Sequence, residues 1–289
     1  MGYTTDFQLA GVCIRLVRNR PLTVDPAFSE YQQASPAGDP LICRMEENAA
    51  LPELRDTAVL LHQDETNRIY RSQTELLRCY YRPYYGAPHP KLRQPDALCR
   101  WDGDRLHLLY RAEAEDFFSR ASGCFEALGP ERLLLRRGRV VMRGHLVNYR
   151  GQALVLLAAT QEEGRAVAEA WVRRRGAVLL HPCRAALALE GDQPMAYALP
   201  VPRWDGVAWN RALPLAGLVL LEQGSEAGLW RERLSFSLPF LLGATVLDTW
   251  DPEATELARP LLSQVLSRTP VYHQVWTPED PTAPLEQVL

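Results

Sequence analysis

A short, almost wholly apolar run followed by a helical pattern is the feature that most constrains the fold of this chain. Residues 153–158 read Ala-Leu-Val-Leu-Leu-Ala, a run typical of a strand that is buried on both faces. Residues 164–175 follow with helical spacing, and three arginines end this pattern, where they suit the helix dipole. A buried strand that leads through a short turn into a helix is characteristic of an α/β domain.

Strands and helices continue to alternate from about residue 129 to the end of the sequence. The predicted strands are 140–149, 153–158, 176–180, 184–190, 194–199, 215–222 and 271–276. The predicted helices are 164–175, 228–242 and 252–267. This order of elements predicts a mixed sheet that is flanked by helices.

The first 128 residues have a different pattern, in which short strands are separated by turn residues. One helix is predicted over residues 113–128, where phenylalanines recur on one side. We therefore expect two domains: a β-rich domain with one helix over residues 1–128 and an α/β domain over residues 129–289. The chain as a whole is α+β.

Charge and composition exclude several classes of function. The 289 residues carry 35 acidic and 32 basic side chains, which give a net charge of −3. A chain with this balance has no broad positive potential to attract nucleic acid. The sequence starts without a basic leader, and no stretch approaches the roughly 20 apolar residues that span a bilayer. We expect a cytoplasmic protein with neither a nucleic-acid nor a membrane partner.

The cysteines and the lysine also limit the chemistry of the chain. The six cysteines form no CxxC pair and no Cys/His cluster at zinc spacing, so we expect buried free thiols and no metal. Lys91 is the only lysine. It lies in a Pro-rich loop, far in sequence from the start of the predicted helix 164–175, and a phosphate-binding lysine could only be this residue.

The turn before the predicted helix can be compared with the phosphate-binding loop GxxxxGK[ST], in which backbone N–H groups and a helix N-terminus face an anion. Gly164 keeps the second glycine. Ala159 stands at the first glycine, Arg165 at the lysine and Ala166 at the hydroxyl residue. The whole segment is Ala159, Thr160, Gln161, Glu162, Glu163, Gly164, Arg165 and Ala166.

Together with the order of the elements, this segment resembles the P-loop kinase superfamily of HPr kinase and phosphoenolpyruvate carboxykinase. The similarity is greatest to the short kinase-related proteins found beside peptide-modification genes in bacteria, and it covers about residues 125–289. It implies a phosphoenolpyruvate carboxykinase-like domain in which 159–166 is the remnant of the phosphate loop. The resemblance also places a remnant of the second motif at Arg143, His181, Cys183 and Arg184.

Most of the catalytic residues that the family uses are replaced here. Ala166 has no oxygen for Mg²⁺, and Cys183, at the position of the family's Asp, is a poor ligand for a hard ion. Arg143 stands at the position of a histidine and cannot act as a base near neutral pH. Glu162 and Glu163 would repel the phosphates of a triphosphate. Each close pair of like charges costs about 1 kcal/mol in water and several kcal/mol in a drier site.

These replacements predict a pseudoenzyme: a catalytically degenerate nucleotide-binding fold that acts as a binding or regulatory subunit. No cofactor is expected. The expected partner is a peptide, another protein or a second copy of the chain, and the sequence leaves the oligomeric state open.

The alternative is an active, atypical phosphotransferase that uses ATP and Mg²⁺. In this hypothesis Arg165 binds phosphate, and His145 acts as a relocated base because it shares the side-chain direction of Arg143 along one strand. The metal ligands would be Glu162, Glu163 or Asp205. A third interpretation is that the loop alignment is accidental and the chain has another α/β fold.

His181 and Cys183 offer one further candidate, since they alternate at a strand end as ligands of a soft metal or as a thiol site would. Pro182 lies between them, and no third or fourth ligand is near in sequence. These features favour a structural turn.

Overall fold

A computed structural model describes residues 2–34, 38–54, 58–72, 75–83, 94–103, 105–200, 209–247, 250–282 and 285. Lys91 and Asp205 lie outside the described residues. The chain divides into two compact units, Met1–Pro130 and Glu131–Val201 with Ala208–Leu289. Each unit contains one large mixed sheet with helices packed on it.

The first unit is β-rich. Its described strands are β1 (Tyr3–Leu9), β2 (Val12–Arg18), β3 (Gln32–Gln33), β4 (Leu41–Asn48), β5 (Val59–Gln63), β6 (Asn67–Arg71), β7 (Leu76–Tyr80), β8 (Ala97–Asp102) and β9 (Arg105–Arg111). They form one sheet in the order β3-β1-β2-β4-β9-β8-β7-β6-β5, in which β4 is parallel to β2 and β9. Its helices are α1 (Pro26–Ser29), α2 (Glu115–Phe118) and α3 (Ala121–Leu128).

The prediction of one helix over 113–128 is wrong, because the segment is divided into a 3-10 turn, α2 and α3. The helix breaks at Arg120, which is extended. There the backbone N–H of Thr23 donates to the Ser119 carbonyl at 2.7 Å, and the Thr23 carbonyl accepts from the N–H of Ala121 at 2.9 Å. A distant segment thus supplies the hydrogen bonds that a continuous helix would have made internally.

The first helix of the second unit is α4 (Pro130–Arg136), whose first residue, Pro130, belongs to the first unit. The elements that follow are β10 (Val140–Arg143), β11 (His145–Tyr149), β12 (Gln152–Leu157), α5 (Gln161–Arg175), β13 (Val178–His181), β14 (Arg184–Glu190), β15 (Gln193–Tyr197), β16 (Ala212–Gln223), β17 (Gly228–Arg231), α6 (Leu234–Ala244), α7 (Pro252–Leu266) and β18 (Val271–Trp276). The sheet order is β10-β14-β15-β16-β12-β11-β13, and β18 pairs with β16 and β17.

The sheet of the second unit is covered on both faces, as the sequence predicts. Leu154 of β12 packs in one core with Trp171 of α5, while Val155 packs in the other with Leu262 of α7. β12 is therefore buried on both sides. It is parallel to β16, and β16 is parallel to β18, so the mixed α/β class is confirmed.

The predicted strand 140–149 is interrupted at Gly144. β10 pairs with β14, whereas β11 pairs with β12 and β13. A Cβ at Gly144 would lie 2.8 Å from Leu157, so only glycine fits this close approach. The prediction that Arg143 and His145 share one side-chain direction is wrong, because Arg143 is exposed and His145 is buried.

The predicted helix 228–242 starts too early, since its first residues form the strand β17. β17 pairs antiparallel with β18 at the edge of the sheet, and the ring of Trp230 lies 4.4 Å from that of His273. This cross-strand ring contact favours the strand over a first helical turn.

The six cysteines are free thiols, and all but the half-buried Cys183 are buried, in agreement with the prediction. Within the described ranges, no helix is both long and apolar enough to cross a membrane.

Candidate functional site

The start of α5 has its own N-cap, which engages one backbone N–H group of the first turn. α5 begins at Gln161 rather than at the predicted Gly164, and the Oγ1 of Thr160 accepts a hydrogen bond from the backbone N–H of Glu163 at 3.2 Å. Thr160 and Glu163 have the spacing of a capping box, which specifies a helix start. The segment aligned with the phosphate loop is therefore helical from Gln161 onward, and the turn before it spans only residues 158–160.

Two carboxylates occupy the first turn of α5. Glu162 is exposed, whereas Glu163 is half-buried and its Oε1 accepts a hydrogen bond from the indole Nε1 of Trp276 at 3.3 Å. Negative charge at a helix N-terminus is stabilising because of the helix dipole. The chain thus supplies its own anionic groups at the position where a phosphate loop binds an external anion.

Gly164 lies against the imidazole of His145. A Cβ at position 164 would be 2.6 Å from both Cε1 and Nδ1 of that ring, so the glycine is required by this packing. His145 is only 3% exposed. Burial and the nearby charge of Arg165 lower the pKa of His145, so its ring is neutral near pH 7. It has no hydrogen-bond partner in the described part of the chain.

Arg165 is directed along the outer surface of α5. Its side chain is 72% exposed, and its Nε donates to Glu169 Oε1 at 3.0 Å. Arg173 donates to the other oxygen of Glu169, also at 3.0 Å. The arginine that stands at the lysine position is thus held by a carboxylate one turn further along the helix. The neighbouring residues Ala159, Thr160, Gln161 and Ala166 are exposed.

His181 closes the turn between β13 and β14. Its Nδ1 accepts hydrogen bonds from the backbone N–H of Cys183 at 3.1 Å and of Arg184 at 2.8 Å. Burial lowers the pKa of His181 to about 3, so the ring is neutral and its proton is on Nε2. That Nε2 is buried and has no hydrogen-bond partner among the described residues.

Cys183 is also part of this turn. Its carbonyl accepts from the N–H of Gly144 at 3.0 Å, and burial raises the pKa of its thiol. Among the described residues, no group of three or more His, Cys, Asp or Glu side chains is placed to hold a metal. The backbone contacts of His181 and Cys183 are those of a structural turn.

The structure brings the predicted site residues together in two groups. His145 lies beside Gly164, close enough to Arg165 for that charge to lower its pKa, and close enough to His181 for its own charge to lower the pKa of His181. Arg143 and Arg184 face each other across β10 and β14. Arg184 forms an ion pair with Glu131, while Arg143 has no ion-pair partner in the described ranges.

Two residues of this site were missing from the predictions. Glu169 could have been found, because a carboxylate four residues after an arginine on a helix is a recognisable ion-pair spacing. Trp276 could not, because its contact with Glu163 depends on how the last strand packs beside the start of α5.

Comparisons with known proteins give a weak structural similarity. No protein-family model matches the chain, and no curated protein is similar to it. Among solved structures, one match is the Hpr(Ser) kinase/phosphatase from Coxiella burnetii, with 11% sequence identity and a TM-score of 0.25. The match covers 42% of this chain and 93% of the kinase/phosphatase chain. A likeness at this level does not bear on activity or ligands.

Proposed function

We propose that this chain is a catalytically degenerate kinase-like protein that acts as a binding or regulatory subunit and does not bind Mg-ATP productively. The capped, carboxylate-bearing start of α5 carries this proposal. Phosphate loops bind through free backbone N–H groups at the positive end of a helix dipole. Here Thr160 occupies the N–H of Glu163, and the Glu163 carboxylate is held in place by Trp276.

The positions that would hold Mg²⁺ support the same proposal. Mg²⁺ takes oxygen ligands in octahedral geometry. Ala166 provides no oxygen, and the thiol of Cys183 stays protonated because burial raises its pKa. Arg165, which retains a positive charge, is already paired with Glu169. A nucleotide phosphate would therefore meet the carboxylates of Glu162 and Glu163 at this end of α5, with no oxygen ligand for a metal at position 166 to offset them.

Thermal unfolding in the presence of ATP, ADP and GTP, each with and without Mg²⁺, tests the proposal. We expect no nucleotide to raise the Tm in a metal-dependent way. A metal-dependent rise that is lost in Arg165→Ala would contradict it. Arg173→Ala is the matched control, since it removes the other arginine that binds Glu169 at 3.0 Å, about three turns from the helix start.

One observation favours the alternative, an active ATP-dependent phosphotransferase. The neutral ring of His145 lies beside Gly164 and has no hydrogen-bond partner in the described ranges, and a neutral imidazole can accept a proton from a hydroxyl substrate. Since the ring is 3% exposed, catalysis would require the start of α5 to move. Phosphate transfer from ATP that is lost in His145→Gln would support this alternative, and absence of transfer in the unsubstituted protein would exclude it.

A further inference from the structure

Helix α6 carries an exposed apolar face. Phe236 is 72% exposed and Phe240 is 56% exposed, while Ser237 and Leu241 on the opposite side are buried. Pro239 and Gly243 are exposed with the two phenylalanines. We call these four residues, Phe236, Pro239, Phe240 and Gly243, the α6 stripe. Two largely exposed rings one turn apart form an exposed apolar patch, the kind of surface that proteins use to contact other molecules.

The α6 stripe has a shape that complements itself. Phe236 and Gly243 are seven residues apart, about 10 Å along one face of the helix. A Cβ at Gly243 would meet nothing within 4 Å, so the surface is open there. When two α6 helices pack antiparallel, Phe236 of each lies opposite Gly243 of the other, and Pro239 lies opposite Phe240. Each contact then occurs twice about a two-fold axis.

The charges at the two ends of α6 select the same orientation. Arg233, the N-cap residue, is exposed and forms no ion pair with any described residue. In an antiparallel pair it would lie near the C-terminal carbonyls of the other α6, where the helix dipole favours a positive charge. In a parallel pair the two Arg233 side chains would instead lie side by side and repel.

We propose that two copies of this chain associate through the α6 stripe in an antiparallel, two-fold arrangement, with the ring of Phe236 packed over Gly243 of the second copy. The proposal does not depend on the function proposed above, because no residue near the start of α5 takes part in it.

Sedimentation velocity of the full chain over a range of concentrations tests this proposal. We expect the mass to rise with concentration from the 32.7 kDa of one chain toward twice that value. Phe236→Glu should remain a monomer over the same range. Val172→Glu is the matched control and should still dimerise, because Val172 is an exposed apolar residue of α5, 38% accessible, outside the stripe.

Gly243→Leu is the more specific variant. Because the position is helical and open, a leucine there should leave the monomer folded with an equal or higher Tm. It would fill the space that receives Phe236, so we expect the dimer to be lost. A wild-type chain that stays at 32.7 kDa at every concentration, or a dimer that survives Gly243→Leu, would overturn the proposal.

Discussion

The imidazole of His145 lies directly against the backbone of Gly164, where a Cβ would be 2.6 Å from Nδ1. This contact joins β11 to the first turn of α5. It gives the glycine a packing role that is independent of any bound phosphate. The residue that best preserves the phosphate-loop pattern in the sequence is thus required by the core of this fold.

This contact predicts a measurable cost for a single methyl group. We expect Gly164→Ala to lower the free energy of unfolding by about 1–3 kcal/mol, as overpacking does, although alanine is the better helix former. Chemical denaturation of the variant and the wild type measures the difference. In a His145→Ala background the cost should largely disappear, and an equal cost in both backgrounds would refute the packing explanation.

The N-cap of α5 should stabilise the fold independently of the contact between His145 and Gly164. Thr160→Ala removes the acceptor for the backbone N–H of Glu163, and we expect it to lower the free energy of unfolding by about 1 kcal/mol. Thr160→Ser keeps the hydroxyl and should remain close to the wild type. Equal stability of Thr160→Ala and the wild type would show that the cap is unimportant.

His181 should make stability depend on pH. Its pKa is about 3 in the folded protein and 6.5 in an unperturbed histidine. Between these values the unfolded chain binds a proton that the folded chain does not, so the free energy of unfolding falls as the pH falls from 6.5 toward 3. Within that range, this residue lowers the free energy of unfolding by about 1.4 kcal/mol for each unit by which the pH falls.

The variant His181→Asn isolates this effect, since an amide oxygen can accept the two backbone hydrogen bonds without titrating. Denaturation of the variant and the wild type at several pH values from about 7 down to about 4 measures the difference. We expect the free energy of unfolding of the variant to fall less steeply with falling pH than that of the wild type. Curves of equal slope would contradict the assignment of the pH dependence to His181.

Local patterns were sufficient to predict several elements of the second unit. The strand 271–276 is confirmed at both ends, and the helix 252–267 to within one residue, because apolar spacing and a proline at the helix start are local signals. The break at Gly144 and the strand β17 could not be predicted, since each depends on a partner strand that is distant in sequence.

The start of α5 is a different case, because the sequence carries two conflicting signals there. Thr160 and Glu163 have capping-box spacing and place the helix start at Gln161, whereas alignment with GxxxxGK[ST] places it near Gly164. The structure follows the local capping signal. The contacts of Glu163 with Trp276 and of Gly164 with His145 were not readable, because they depend on tertiary packing.

If the helix start itself closes the site, restoring the family's residues should not restore binding. We expect the triple variant Ala159→Gly, Arg165→Lys and Ala166→Ser to remain folded, by circular dichroism, and to gain no Mg-ATP binding in equilibrium dialysis. The reason is that residues 161–163 would still be helical and Thr160 would still cap them. A gain of binding would show that side-chain identity alone, rather than backbone conformation, abolishes the site.

Isothermal titration calorimetry of the unsubstituted chain with ATP, at equal concentrations with and without Mg²⁺, tests the central claim most directly. The capped, carboxylate-bearing start of α5 predicts no saturable heat with either solution. A saturable, Mg²⁺-dependent heat that is lost in Arg165→Ala and kept in Arg173→Ala would contradict that claim and favour an active phosphotransferase.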